Sequence, residues 1–358
     1  MENIDQANVA KSGWKEKERA MKRACLVVLC LCLVGIGVSA TEAGQTYQLK
    51  IANAFVDTAP RAVAMKWMGE ELAKRSNGQI KAEYYGNGVL GKEQELFQMT
   101  ATGLVQIYKG GGWEPLSGKF SLWQIPFTFR SYEEAIAFNK SDYVKGIAKE
   151  ASKSGIYIPA IGFTGGRNIQ TVSKVVREPE DLKGLKMRSP GQPLILGFYR
   201  TLGANPISMA PTDVYMALQT KVIDGACNDT ANLWGYKLHE GAKNFTWIDY
   251  TLGSDPTMVS DSWHKTLPDD LKKIVDQVVV EGTERSDRLS AEQLYDFAQK
   301  IAAASANVVK VIDDPALQAR WAKAVEPLVE ESITKGIFAR ADVDAMKKVL
   351  ADIRAKKQ

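Results

Sequence analysis

Residues 181–228 read DLKGLKMRSPGQPLILGFYRTLGANPISMAPTDVYMALQTKVIDGACN, and the alternation of element types inside this stretch sets the fold class. Lys186-Met187-Arg188 forms a short strand that ends on a lone arginine. Pro190 follows, and its ring drives Ser189 toward an extended backbone. Leu202-Gly203-Ala204-Asn205-Pro206 is a turn and Pro211 to Gln219 a helix. Val222-Ile223-Asp224-Gly225 is a strand exit with Asn228 just beyond it. Short strands separated by helices are the signature of an α/β architecture.

The same rhythm continues on both sides. Tyr47 to Asn53 alternates as a strand does, and a helix with Met65, Met68 and Leu72 on one face follows, stopped by Gly78. Ile80 to Tyr85 is a second strand, Lys92 to Thr102 a second helix, and Leu104 to Tyr108 a third strand that runs into Gly110-Gly111-Gly112-Trp113. A β-α-β-α-β order pairs these strands in parallel and puts their C-terminal ends along a crevice. Ile156 to Phe163 is an apolar strand ending at Gly165-Gly166-Arg167. Thr266 and Asp269 suit a capping box around Pro268, from which Leu271, Ile274, Val275 and Val278 lead a long helix to about Ala304. No Ser/Gly/Pro-rich linker separates two autonomous halves, so the chain crosses between lobes several times.

The stretch quoted above resembles the extracytoplasmic solute-binding proteins of TRAP transporters, the DctP-like family. The likeness rests on Gly184-Leu185-Lys186-Met187-Arg188, the Leu-Gly-Ala-Asn-Pro turn, the Pro-Thr-Asp-Val-Tyr-Met-Ala-Leu-Gln helix and Asp224-Gly225 with Asn228, and it is compatible with the chain from Tyr47 onward. It implies a two-lobe periplasmic-binding-protein-like fold, each lobe a β-sheet flanked by helices, with a ligand cleft between them and one long helix spanning both. The lobes it implies are residues 45–164 plus about 254–292, and 165–253 plus about 293–358. The function it implies is capture of a small organic acid and delivery to a membrane permease, in the periplasm, with no catalysis and no cofactor. A monomer is expected, although some relatives dimerise.

Candidate site residues follow. Arg188 is the sharpest: a guanidinium presents a rigid fork that matches both oxygens of a carboxylate. Alone, an arginine at a strand end is more commonly a surface or salt-bridge residue; the resemblance makes it the grip on the substrate carboxylate. Arg167 follows two glycines at a strand end, where relatives also place an arginine; a lobe-to-lobe ion pair is the equal alternative. Asn228 is retained where many relatives read Asp-Gly-Gln-Glu-Asn-Pro, while this chain reads Asp-Gly-Ala-Cys-Asn-Asp. An amide both donates and accepts, although Asn is also a common helix N-cap. Glu93 falls at the expected pocket mouth and is equally a first-turn acid favoured by the helix dipole. Trp113 and Glu114 leave the glycine run at a crevice position, as ligand wall or as loop anchor. Trp234 is a candidate further wall, with core packing the favoured reading. Gly191 stands where such relatives often carry asparagine.

The composition bounds the rest. The net charge of +4 over 358 residues is too weak a bias for nucleic acid. Cys227 is the one cysteine outside residues 1–40, so no internal disulfide forms there. It reads as a buried filler with nothing nearby to activate it. His239 and His264 are the only histidines, too few for a metal centre of the usual spacing. No nucleotide-binding loop or nucleophile elbow occurs. Lys15 to Arg23 followed by the apolar run Ala24–Val38 matches a secretory signal peptide, cleaved near Ala40 or Ala43, with Met21 a natural alternative start. Fifteen apolar residues rise about 22 Å, short of the roughly 30 Å hydrocarbon core that an anchor must cross. Competing readings are an ABC-type binding protein, an exported enzyme acting on an organic acid, and a sensing subunit. Dicarboxylates, sugar acids, keto acids and aromatic acids all fit an arginine pair, and Trp113 with the altered 224–229 stretch favours a bulky acid with a ring.

Overall fold

The computed structural model describes residues 45–113 and 116–356; the leader expected at 1–40 lies outside them. Strands β1 (Tyr47–Ala52), β2 (Ile80–Tyr85) and β3 (Ile107–Lys109) pair in parallel in the order β2-β1-β3. Helix α1 (Pro60–Arg75) links β1 to β2, and α2 (Glu93–Ala101) links β2 to β3. The expected β-α-β-α-β unit is therefore present. Its third strand begins three residues late, because Leu104 and Val105 both donate to Met99 O and so prolong the exit from α2.

After α3 (Tyr132–Asn139) and α4 (Asp142–Glu150), strand β4 runs sixteen residues from Ile156 to Thr171. Sequence reasoning ends this strand at Gly165-Gly166; the structure corrects that. A Cβ on Gly165 would meet Leu294 Cδ2 at 2.3 Å, and one on Gly166 would meet Asp249 Oδ1 at 2.0 Å. The glycines serve close packing inside a continuous strand. β4 is long because it belongs to two sheets. Ile156–Gly166 pairs antiparallel with β9 (Leu252–Ser260), which also pairs with β3 and completes the first sheet. Arg167–Thr171 pairs antiparallel with β7 (Gly225–Asp229) and in part with β8 (Asn244–Trp247). β5 (Lys186–Ser189) then lies parallel between β7 and β6 (Asn205–Ser208), and β8 pairs with β10 (Asn307–Lys310).

Each sheet buries its own apolar layer, which is what makes two lobes. Met65, Met68, Leu72 and Ile107 pack under the first sheet, with Trp113, Phe120, Trp123 and Phe138 on its other side. Met187, Phe198, Tyr250 and Trp321 fill the second, where Phe198 stacks on Tyr250 at 4.1 Å. The helix α10 (Asp269–Ala304) is 36 residues long, about 54 Å at 1.5 Å per residue. Leu271, Val275 and Val278 seat its first half against the first core, and Ala298 and Ile301 seat its last turns against the second. Its expected capping box does not form: Pro268 is the N-cap without a side-chain bond, and Thr266 Oγ1 donates to Trp263 O.

Candidate functional site

A cavity with about 590 Å³ of space between its atoms, its mouth included, lies where β4, β5, β7 and β9 meet. Its walls bring together most of the residues singled out from sequence: Arg188, Arg167, Asn228, Glu93 and Trp113 all line it. Glu114 lies outside the described residues. Trp234 is not among the lining residues; it stacks on His239 at 4.3 Å beside the second core.

Arg188 is 2 % exposed. Its Nε and Nη2 donate to Met209 O at 3.0 and 2.7 Å, and its Nη1 donates to Cys227 O at 3.2 Å. A guanidinium carries five N–H groups, so these bonds hold the plane still and leave one N–H on each terminal nitrogen. Burial, and then the like charge of Arg167, hold Arg188 below its ordinary value. Arg167, on β4 with β7 between it and Arg188, has Cys227 Sγ at 3.9 Å. That neighbour revises the reading of Cys227: the thiol is buried filler, but a guanidinium stands against it. Among the described residues neither arginine forms an ion pair. The lobe-to-lobe ion pair envisaged for Arg167 is therefore absent there.

Asn228 is in strand β7, not beyond its end. Its Oδ1 accepts from Asp229 N at 3.0 Å, and its Nδ2 makes no hydrogen bond to a described residue. The capping alternative falls to its neighbour: Asp229 caps helix α7 (Thr230–Gly235) by accepting from Asn232 N at 3.0 Å. Glu93 opens α2, and its Oε1 accepts from Gly111 N at 2.7 Å. Trp113 is both loop anchor and wall, packed edge-on against Phe120 with ring centroids 4.9 Å apart. Its indole Nε1 has no hydrogen-bond partner among the described residues.

Sequence reasoning missed the opposite wall. Arg61, in the first turn of α1, is buried and sits over the Phe55 ring at 4.0 Å. Its Nη1 pairs with Asp255 Oδ1 and its Nη2 with Asp229 Oδ2, both at 3.2 Å. Burial acts against its charge, but Asp255 and Asp229 hold it above its ordinary value. Lys109, fully buried at the end of β3, donates to Asp255 O at 2.6 Å and lies 3.3 Å from Asp255 Oδ2. One signal was available: Arg61, Met65, Met68 and Leu72 share the helical stripe, so a charge stood in line with an apolar face. Thr251, Ser254, Gln124 and Gln192 also line the cavity. Thr251 Oγ1 and Ser254 Oγ make no hydrogen bond to a described residue.

Such a cavity can seat an anion against Arg188 and Arg167 and offers polar side chains to the rest of a ligand. Comparison with known proteins agrees in kind. Residues 52–335 match the family model of the bacterial extracellular solute-binding proteins, family 7, DctP. The C4-dicarboxylate-binding periplasmic protein DctP of Vibrio cholerae is 23 % identical, over 76 % of this chain and 82 % of its own length. The 2,3-diketo-L-gulonate-binding periplasmic protein YiaO of Escherichia coli K12 is 22 % identical, over 89 % of this chain and 98 % of its own. Among solved structures, the sugar-acid-binding protein DctPAm of Advenella mimigardefordensis with galactonate superposes with a TM-score of 0.81 at 20 % identity, covering 86 % of this chain and 99 % of that one. A TRAP periplasmic solute-binding protein of Pseudomonas putida F1 with D-glucuronate gives 0.77 at 26 % identity, covering 85 % and 96 %. These are binding proteins that serve TRAP-type secondary transport, not ABC-type binding proteins or enzymes. With most of its length matched, the chain belongs to the DctP family of bacterial extracellular solute-binding proteins, the solute-capturing subunits of TRAP transporters.

Proposed function

We propose that this protein binds a polyhydroxylated monocarboxylic acid, a sugar acid of the aldonate or hexuronate class, in the periplasm and as a monomer. The observation that carries the reading is the contrast between two groups of residues that line the cavity. The buried Arg188 and the half-buried Arg167 lack any acid partner among the described residues. Trp113 Nε1, Thr251 Oγ1 and Ser254 Oγ make no hydrogen bond to a described residue.

Buried polar groups without partners are costly, about 1–3 kcal/mol each, and a buried cation without a counter-ion more so. A bound acid relieves both costs. Its carboxylate lies against the N–H left on each terminal nitrogen of Arg188, with Arg167 and the Asn228 amide beside it. Its hydroxyls reach the three unpartnered atoms and the carboxylates of Glu93 and Asp229. The charge count agrees: three arginines and three acids line the cavity, and Lys109 behind them leaves one positive charge in excess. Relatives crystallised with galactonate, galacturonate and glucuronate support the same class.

Arg167, Arg188 and Asn228 belong to the second sheet, and Glu93 and Trp113 to the first lobe. A ligand bound to both therefore draws the lobes together, excludes water and strengthens each charged contact. The closed form is what the membrane permease receives. A thermal-shift and calorimetric screen tests this with galactonate, gluconate, glucuronate, galacturonate, succinate, pyruvate and benzoate. Sugar acids are expected to raise the melting temperature and reduce the radius of gyration in small-angle scattering. Binding of succinate, pyruvate or benzoate in preference to every sugar acid would overturn the assignment.

A further inference from the structure

We infer that residues 54–61 and 229–236 form a clasp across the cleft, and that Tyr236 and Gly235 are the positioning residues through which it sets how slowly a captured acid leaves. The clasp stands on contacts within the protein; its effect on a sugar acid rests on the reading above.

The two segments belong to different lobes. Residues 54–61 join β1 to the first turn of α1, and residues 229–236 run from the end of β7 through α7. Each is held by its own lobe. Phe55 N donates to Asn53 Oδ1 at 2.8 Å and Asn87 N to Phe55 O at 3.0 Å, which fixes the loop that carries the Ala54 carbonyl. On the other side Tyr236 N donates to Asn232 O at 3.0 Å, and Leu233 packs with Phe245 and Trp247 of β8.

Contacts along both segments join them. Arg61 Nη2 pairs with Asp229 Oδ2 at 3.2 Å, and Tyr236 Oη donates to Ala54 O at 2.9 Å. Burial holds the Tyr236 hydroxyl well above its ordinary value, so it stays a donor. Gly235 faces Val56: a Cβ there would lie 2.6 Å from Val56 Cγ2, so the missing side chain lets the end of α7 come this near. The clasp also begins beside the ligand. Asn228 and Asp229 both line the cavity, and of these neighbours on β7 the first is left for the acid while the second holds the opposite lobe. An acid seated on Arg188 and Asn228 favours the arrangement in which the clasp is made. It leaves only after these contacts part, so they act on dissociation more than on capture.

Val56→Cys with Gly235→Cys tests the clasp without a ligand. The two Cβ positions stand 3.5 Å apart, within reach of a disulfide. The pair is expected to oxidise in the free protein, to lower its radius of gyration in small-angle scattering relative to the reduced form, and to block entry and exit of galactonate and glucuronate until it is reduced. Tyr236→Phe removes one hydroxyl. Stopped-flow measurement is expected to show dissociation faster by about threefold to tenfold, the worth of one neutral hydrogen bond, with the association rate constant unchanged. A merely structural hydroxyl would lower the urea midpoint of the ligand-free protein and leave dissociation where it was. If the cysteine pair never oxidises, or if the crosslinked protein scatters and exchanges ligand as the reduced one does, the two segments do not close the cleft. If the wild type binds neither acid, the sugar-acid reading fails, while oxidation and scattering still decide for or against the clasp.

Discussion

Two pairs of cations lie in or just behind the walls of one cavity, and the protein treats them differently. Arg61 and Lys109, on the first lobe, are bound to Asp229 and Asp255 at 3.2–3.3 Å. Arg167 and Arg188, on the second sheet, form no ion pair with any described residue, and Arg167 Nη1 has the Cys227 sulfur at 3.9 Å. Burying a charge is expensive in either case, and a protein acid offsets that cost where structure is the purpose. Where the offset is left out, the site is built for an anion from outside. A missing partner, more than burial, distinguishes the binding cations from the structural ones.

This contrast can be attacked directly. Arg188→Met should lower affinity for the ligand acid by about a thousandfold or more, the usual cost of truncating one member of a buried charged contact. Arg61→Met should show itself first in the ligand-free protein. It strands two buried carboxylates, and urea unfolding should report a loss of about 3–5 kcal/mol. Equal losses of stability in the two variants would erase the distinction.

Cys227→Glu places an acid against Arg167 and so converts the binding pair into the structural kind. It also restores the residue found there in the Asp-Gly-Gln-Glu-Asn-Pro pattern of relatives. We expect affinity to fall about tenfold, through competition for the guanidinium. Unaltered or tighter binding by calorimetry would show that the thiol does not keep Arg167 available.

A smaller effect concerns Asp287, an acid near the structural pair. Its Oδ1 accepts from Phe163 N at 3.0 Å, and burial pushes its carboxyl from an ordinary 3.8 up to about 6, with Lys109 acting in the opposite direction. A raised folded value means that the native state holds the proton more tightly than the unfolded chain does. The associated stability is full below about pH 3.8 and is lost as pH rises through about 6. Asp287→Asn should therefore raise the melting temperature at pH 7.5 by about 2–8 °C, with no gain at pH 4. A gain of the same size at both pH values would exclude a titration of Asp287 as the cause.

The legible parts of the chain are those with local causes. Parallel β1, β2 and β3, their connecting helices, the long α10 and the short strand carrying Arg188 follow from periodicity and turn chemistry. Arg167, Arg188, Asn228, Glu93 and Trp113 were found because short motifs around them are local as well. What failed was non-local. Gly165 and Gly166 read as a strand end, since only Leu294 and Asp249, distant in sequence, explain why a Cβ cannot fit there. Trp234 stayed open between a further wall and the favoured core packing, because nothing in the chain order announces its stacking on His239. Arg61 and Asp255 lie 194 residues apart, and neither sits in a motif.

The amino-acid order alone determined the α/β class and the family, because both are written in spacings of a few residues. It also supplied the forked cations for an acid, since bidentate geometry is a property of the side chain itself. Tertiary structure decided which charges are neutralised and which are left for a ligand. That depends on acids brought from other strands into a medium too dry to screen them, and no local pattern records it.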